Sequence, residues 1–359
     1  MTRALRIRLV LLTATALILT AVALTQPVSS QSPARPPGAD YTGKAFNFVR
    51  ITDDVFHAIG TSALTVGCNG AVVINPNDVL VVDSHISPAA AWALREELKA
   101  ITPKPIRFVV NTHFHFDHSH GNQIYGPDVE VIGHEFTRAA LVSGLSKTSR
   151  SYASFIGTIP AQMEQLKKRI AEADAGERAR LEAQLAVMER HYRATQAVEP
   201  TPPTVTLSDH LTMHRGGREI RLLFLGRGHT GGDVVVHLPK ERLVITGDLL
   251  TAGPAYLGDG YFTEWIATLE KLKALDFDTV LPGHGDAFKG KMKIDHWQAY
   301  LRDFWTQVEQ MHKASVSAED ASKRIDMRSH AANYQAITQP GVNVNGVLRA
   351  YELMEGKVK

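Results

Sequence analysis

The chain has 359 residues, 44% hydrophobic and 21% charged, with one Cys, which excludes a disulfide framework, a Cys-rich zinc finger, wholesale disorder and a polytopic membrane protein. Its formal charge is +2, and setting aside Arg3, Arg6 and Arg8 leaves 36 basic residues against 37 acidic ones, so the folded part carries no electrostatic footprint for nucleic acid. The 16 histidines are the one departure in composition.

Arg3, Arg6 and Arg8 precede an apolar run over residues 9–24, and small or polar residues follow to position 30, the layout of a secretory signal. The run is about 16 residues long, short of the roughly 20 that a membrane span needs. Residues 1–30 therefore read as a signal peptide, with cleavage after Ala23 or after Ser30 both open. The competing reading is an uncleaved N-terminal anchor, the one route by which the chain would meet a membrane. The mature protein is expected to be exported, periplasmic or secreted. Residues 31–45 read as a flexible tether rich in Pro, Ala and Gly.

Short β-type runs follow at 55–59, 71–74 and 79–82, separated by turns such as Asn75-Pro76-Asn77-Asp78, which predicts hairpins. The spacing predicts a helix over 88–100 with Ser87 as N-cap, then a buried strand at 106–110 and another at 129–132. A helical texture covers 135–197, with Met163, Leu166 and Ile170 on one face, then Leu181, Leu185, Met188 and Tyr192, and with Gly176 marking a break between two arms. Strands return at 204–207, 220–224, 234–237 and 243–246, a helix at 263–275, a strand at 279–281, and helices over much of the remainder. Strands flanked by helices in two similar halves predict a layered α/β sandwich.

The chemistry-bearing residues lie just past these strands. Asn111-Thr112-His113-Phe114-His115-Phe116-Asp117-His118 offers three imidazoles and a carboxylate within six residues, all of zinc-ligand type. In a strand His113, His115 and Asp117 would share one face, whereas a turn would bring His118 round to a second metal. Three further loops carry His229 in Gly226-Arg227-Gly228-His229, Asp248 after Ile245-Thr246-Gly247, and His284 in Pro282-Gly283-His284-Gly285. A scaffold of strands can aim such loop residues at one point.

With these motifs the sequence resembles the metallo-β-lactamase superfamily from about residue 46 to 287, the helical insert excepted. The resemblance implies a four-layer αβ/βα sandwich with a helical insertion at about 135–198, within a catalytic domain at 46–300 and followed by a C-terminal helical extension at 301–359. It implies two zinc ions, with manganese or iron as substitutes. His113, His115 and His229 would hold one, Asp117, His118 and His284 the other, with Asp248 bridging them. Asp83 matches an aspartate that supports such a site, the alternative being a plain turn cap. Members of the superfamily that carry redox di-iron centres usually have Glu where this chain has His115, so hydrolysis is the expected chemistry.

The implied activity is cleavage of an ester, thioester, lactone or lactam bond in a small-molecule substrate by a metal-activated hydroxide, which Asp117 would orient or deprotonate. A β-lactamase proper is the alternative enzyme. The family's β-lactamases usually have Cys or Ser where Asp248 stands, and often a Lys where Thr251 stands; Cys68 reads as a small buried residue. A catalytically silent metal-binding module, recruiting a partner through the insertion, is the alternative from another class. Arg227 is a candidate contact for the substrate, or a surface arginine. Tyr256 and Tyr261, with Phe262 and Trp265, are either a substrate wall or core. The insertion, with Lys167, Lys168, Arg169, Glu177, Arg178 and Arg180, is either a solvated helical surface or a lid or homodimer contact.

Overall fold

A computed structural model describes residues 34–358. The expected signal peptide, residues 1–30, lies outside the described residues.

Strands β1 (Phe46–Arg50), β2 (Val55–Gly60), β3 (Gly70–Ile74), β4 (Val79–Val82), β5 (Ile106–Val110), β6 (Glu130–His134) and β7 (Val205–Leu207) form one sheet in sequence order. The hairpin-linked β1 to β4 are antiparallel, and β4 to β7 run parallel, as crossover connections require. The second sheet has the order β13-β12-β11-β10-β9-β8, built from β8 (His210–Arg215), β9 (Arg218–Phe224), β10 (Val234–Leu238), β11 (Leu243–Gly247), β12 (Thr279–Pro282) and β13 (Phe288–Lys289).

Strand β4 shows why the layers form. All four residues of Val79-Leu80-Val81-Val82 are apolar because both faces of the strand are covered. Val79 and Val81 face the helix Pro88–Leu98 with Ala90 and Leu94, while Leu80 and Val82 face the other sheet through Ile220, Leu222, Val236 and Ile245. The outer face of the second sheet, with Val235, Val244 and Val280, is covered by the helices Phe262–Ala274, Met292–Lys313 and Val344–Met354 through Trp265, Trp297, Phe304 and Val347. The architecture is helix, sheet, sheet, helix, as expected.

Three details correct the expectations. Residues 34–45 are not a loose tether: Ala39 is buried against Ala89 and Ala194, Arg35 lies over the Trp92 ring, and the Tyr41 hydroxyl donates to Glu97 at 2.7 Å. Small residues there allow close packing. The boundary at 300/301 falls inside the helix Met292–Lys313, so the C-terminal helices complete a core with Trp265 instead of extending from a finished domain. The break in the insertion comes at Ala173 and Asp174, because the Asp174 carboxylate accepts from the backbone N–H of Gly176 and Glu177 and caps the helix Ala175–Gln196. The charged residues of the insertion named above are solvent-exposed. No described helix is long and apolar enough to cross a membrane.

Candidate metal centre

The histidine-rich segment leaves strand β5 at Val110 and does not continue as a strand. It turns through residues 111–115 into the short helix Phe116–Ser119, so the face-sharing of a strand does not apply and the turn reading does. The turn brings the His113 and His118 rings to 4.1 Å, centroid to centroid. The carbonyl of His118 is pinned by the Ser84 backbone N–H at 2.8 Å and by the Asn111 amide.

The other three loops reach the same edge. In the loop after β9, the Asp233 carboxylate accepts from the Thr230 N–H and hydroxyl, which fixes the turn carrying His229. Gly247 ends β11 with φ +51°, and a Cβ there would lie 2.4 Å from the Thr112 hydroxyl. A Cβ on Gly283 would lie 2.4 Å from Asp248 Oδ1, so only glycine lets His284 and Asp248 approach.

Seven donors therefore converge. Nε2 of His229 lies 3.0 Å from Nδ1 of His115, with His113 completing a trio whose donor atoms are all within 4.8 Å. Asp117, His118 and His284 form a second trio by the same measure, with His284 Nε2 3.2 Å from Asp117 Oδ2. Asp248 stands between: its carboxylate is 3.3 Å from His284 Nε2, 3.6 Å from His118 Nε2 and 3.6 Å from His229 Nε2. His113 Nε2, His118 Nε2 and Asp248 Oδ1 are buried without a hydrogen-bond partner. Orphaned buried donors of N and O type, packed this closely and facing one another, fit a pair of borderline divalent cations.

Electrostatics reinforce the point. Burial drives His113 well below the ordinary histidine range and His229 down to about 3, so both are neutral and free to ligate. Asp248, helped by Asp117 and against the opposing effect of burial, pushes His284 up to about 10, and burial likewise opposes charge on His118 but the carboxylates around it raise it overall. Burial acts to raise Asp117 and Asp248, yet the histidines hold both below the usual carboxylate range. The two carboxylates thus keep protons on His118 and His284, the protons that a divalent cation would displace on binding.

Asp83 reaches beyond the strand it follows. It follows β4 at φ 66°, accepts from Thr112 N at 2.7 Å and Thr112 Oγ1 at 2.9 Å, and bonds His118 Nδ1 at 2.7 Å. The sequence reading missed Asp259, whose Oδ2 is 3.0 Å from His115 Nε2 and turns Nδ1 of that ring toward His229. Its only cue was an aspartate flanked by glycines, Gly258-Asp259-Gly260. Cys68 is buried, as expected, beside Asp83 and His118; burial pushes its thiol up to about 12, so it stays protonated.

A cavity of about 890 Å³ opens onto His115, Asp117, Asp248 and His284, and its far wall is the helical insertion. Tyr256 lines it. Two expected substrate contacts do not. Arg227 is taken by Glu264, at 2.8 and 2.6 Å, and lies over the Tyr261 ring. Tyr261 is buried between Arg227 and Arg349, and Phe262 and Trp265 are fully buried core. A planar cation finds a carboxylate and an aromatic face in the next helix, which removes it from the cavity.

The model of the metallo-beta-lactamase superfamily matches residues 64–131 and 156–284. Linear primary-alkylsulfatase from a Pseudomonas species is 24% identical over 271 residues, covering 72% of this chain and 50% of that protein. The alpha subunit of 2,4-dinitroanisole O-demethylase from a Nocardioides species is 24% identical over 275 residues, covering 76% of this chain and 62% of that one. The chain thus spans between half and two thirds of the length of these two relatives. Metallo-beta-lactamase type 2 of Bacteroides fragilis is 32% identical over 109 residues, 28% of this chain and 43% of that protein. Among solved structures, a metallo-beta-lactamase from Pontibacter korlensis shares the fold, with a TM-score of 0.51 at 18% identity over 72% of this chain and 99% of that one.

Proposed function

The chain belongs to the metallo-β-lactamase superfamily, and on that premise we propose that it is an exported di-metal hydrolase acting on an ester, thioester, lactone or lactam bond. The observation that carries this reading is the convergence of seven donors, three with orphaned buried atoms, at the floor of a substrate-sized cavity. His113, His115 and His229 would hold one ion, Asp117, His118 and His284 the other, and Asp248 would reach both. A pair of divalent ions, zinc by preference for these donors, supplies an acidified water and a Lewis acid for the substrate's electrophilic group.

The chain's own residues do the rest. Asp117 lines the cavity, with Oδ2 3.2 Å from His284 Nε2, and would orient the attacking water or take its proton. Asp83 and Asp259 hold the His118 and His115 rings so that the correct nitrogens face inward. A complete donor set argues against the silent-module reading, since decay would remove ligands first. The β-lactamase reading is weakened by the cavity wall, which has no lysine or arginine among the described residues to meet an anionic drug.

A sulfate ester is the second reading, supported by the likeness to an alkylsulfatase over 72% of the chain. One experiment separates these: load the purified protein with zinc, count bound ions, and compare lactones, esters, thioesters, alkyl sulfates and β-lactams. Chelator-sensitive turnover of a carbonyl substrate is the expected result; two bound ions with turnover of sulfate esters alone would replace the first reading by the second.

A further inference from the structure

The cavity's chemistry changes from one side to the other. At the metal end stand Asp117, Asp248, His115 and His284. At the far wall the insertion sets Phe155, Ile156, Ile159, Val187 and Met188 among uncharged serine and glutamine side chains. Among the described residues no lysine or arginine lines the cavity anywhere. The insertion's one ionisable group here, His191, is pulled down to about 4 by burial and so adds no charge near neutral pH. Phe155 is 56% exposed, one of four large hydrophobic side chains left open to solvent among the described residues, and its ring stands 6.4 Å from that of Tyr256 beside the same space. An apolar wall beside a reactive centre gains free energy when a ligand covers it and loses it when an unpaired ion is forced against it.

We propose that the helical insertion is the specificity element of this enzyme, and that it selects substrates whose non-reacting part is an uncharged, apolar chain or ring. The inference rests on the hydrolase reading for the identity of the reacting end and on the cavity wall for the tail. Each methylene laid on the wall raises affinity by about three- to fourfold until the wall is covered, the worth of burying one CH₂. A carboxylate at the tail's end forfeits that gain, because no cation in the cavity meets it.

The test uses the zinc-loaded full chain and two unreactive probe series, straight-chain alcohols from butanol to decanol and the matching ω-hydroxycarboxylates, with binding read by calorimetry. Affinity is expected to climb with chain length for the alcohols and to fall at least tenfold when the tail carries a carboxylate. Met188→Lys should flatten the alcohol series and narrow the gap to the carboxylates. Gln184→Lys sets the same charge at an exposed lining position and should likewise narrow the gap between the series without disturbing packing. Affinity independent of chain length, or equal for both series in wild type, overturns the inference. Esters and alkyl sulfates of the same chains keep the two readings apart. Probe binding with the predicted slope but no ester turnover supports the wall's role and sinks the carbonyl-hydrolase reading. Ester turnover without chain-length dependence does the reverse.

Discussion

Oδ2 of Asp83 lies 2.7 Å from Nδ1 of His118, and the same carboxylate accepts from the backbone and hydroxyl of Thr112. One buried residue thereby sets the ring of a candidate ligand and the turn that carries two more. Asp83→Asn tolerates the left-handed backbone at this position and removes only the charge. It is expected to lower metal affinity by about 10- to 100-fold. Competition with a chromophoric chelator measures this; unchanged affinity would reduce Asp83 to a turn cap.

Two divalent ions per chain are expected in the loaded protein. Among the described residues, Asp248→Ala removes the one carboxylate within 3.6 Å of donors from both trios, at His229 Nε2 and at His118 Nε2. It should leave at most one ion tightly held and cut turnover by orders of magnitude. Elemental analysis of wild type and variant decides it, and a single ion in saturated wild type would end the bridged-pair assignment.

Stability has its own anchor away from the site. Arg218 of β9 reaches the other sheet, donating to the Ile74 carbonyl at 2.9 Å and pairing with Asp54, while also holding Glu241 at 3.0 Å. Its side chain and that of Glu241 are over nine-tenths buried. Arg218→Ala strands the Glu241 charge and should cost about 3 kcal/mol in denaturant unfolding. Burial acts to raise Asp54, but the Arg218 guanidinium holds it below the ordinary value of 3.8. A lowered folded pKa stabilises fully above that ordinary value, and the gain is lost as pH falls through the lower one. The variant should therefore lose less stability than wild type on acidification below about pH 4. An equal acid loss in both would assign that loss elsewhere.

Export is expected from the Arg-flanked apolar run. N-terminal sequencing of protein recovered outside the cytoplasm should begin at Leu24 or Gln31. An intact Met1 on soluble cytoplasmic protein would remove the assignment.

β-Lactam turnover should be secondary to another substrate. Thr251 lines the cavity with its hydroxyl donated to the Gly253 carbonyl, and Arg227 is committed to Glu264. Without a charge-assisted contact worth about 1.5–3 kcal/mol, a drug's carboxylate loses roughly ten- to a hundredfold. A kcat/KM above about 10⁵ M⁻¹s⁻¹ for any penicillin, cephalosporin or carbapenem would reverse the ranking.

The candidate metal donors were legible in the chain because each lies just past an apolar strand, and ligand chemistry allows few residue types there. His113 to His118 announce themselves within six residues, and His229, Asp248 and His284 each follow a strand that hydrophobic runs had already marked. The unbroken apolar run of Val79–Val82 likewise carried the layered fold, since a strand buried on both faces has to be apolar throughout. Edge strands were harder. β1, β8 and β13 are half-exposed or short, so their polar residues hide the pattern.

What the tertiary structure alone decided depends on contacts between segments far apart in sequence. Asp259 finds His115 across 144 positions, and Glu264 captures Arg227 across 37. The sequence had nominated Arg227 and Tyr261 for the cavity, and both were withdrawn by partners that no local spacing reveals. Residues 34–45 looked like a tether by composition, yet Ala39 is small enough to be buried between two helices. The insertion read as a charged helical surface, and one side of it is; its other side walls the site, because Ile156 and Met188 need an apolar neighbour and the fold places the metal centre's cavity there. Local chemistry fixes which atoms can bind a metal, whereas long-range packing fixes what stands beside them.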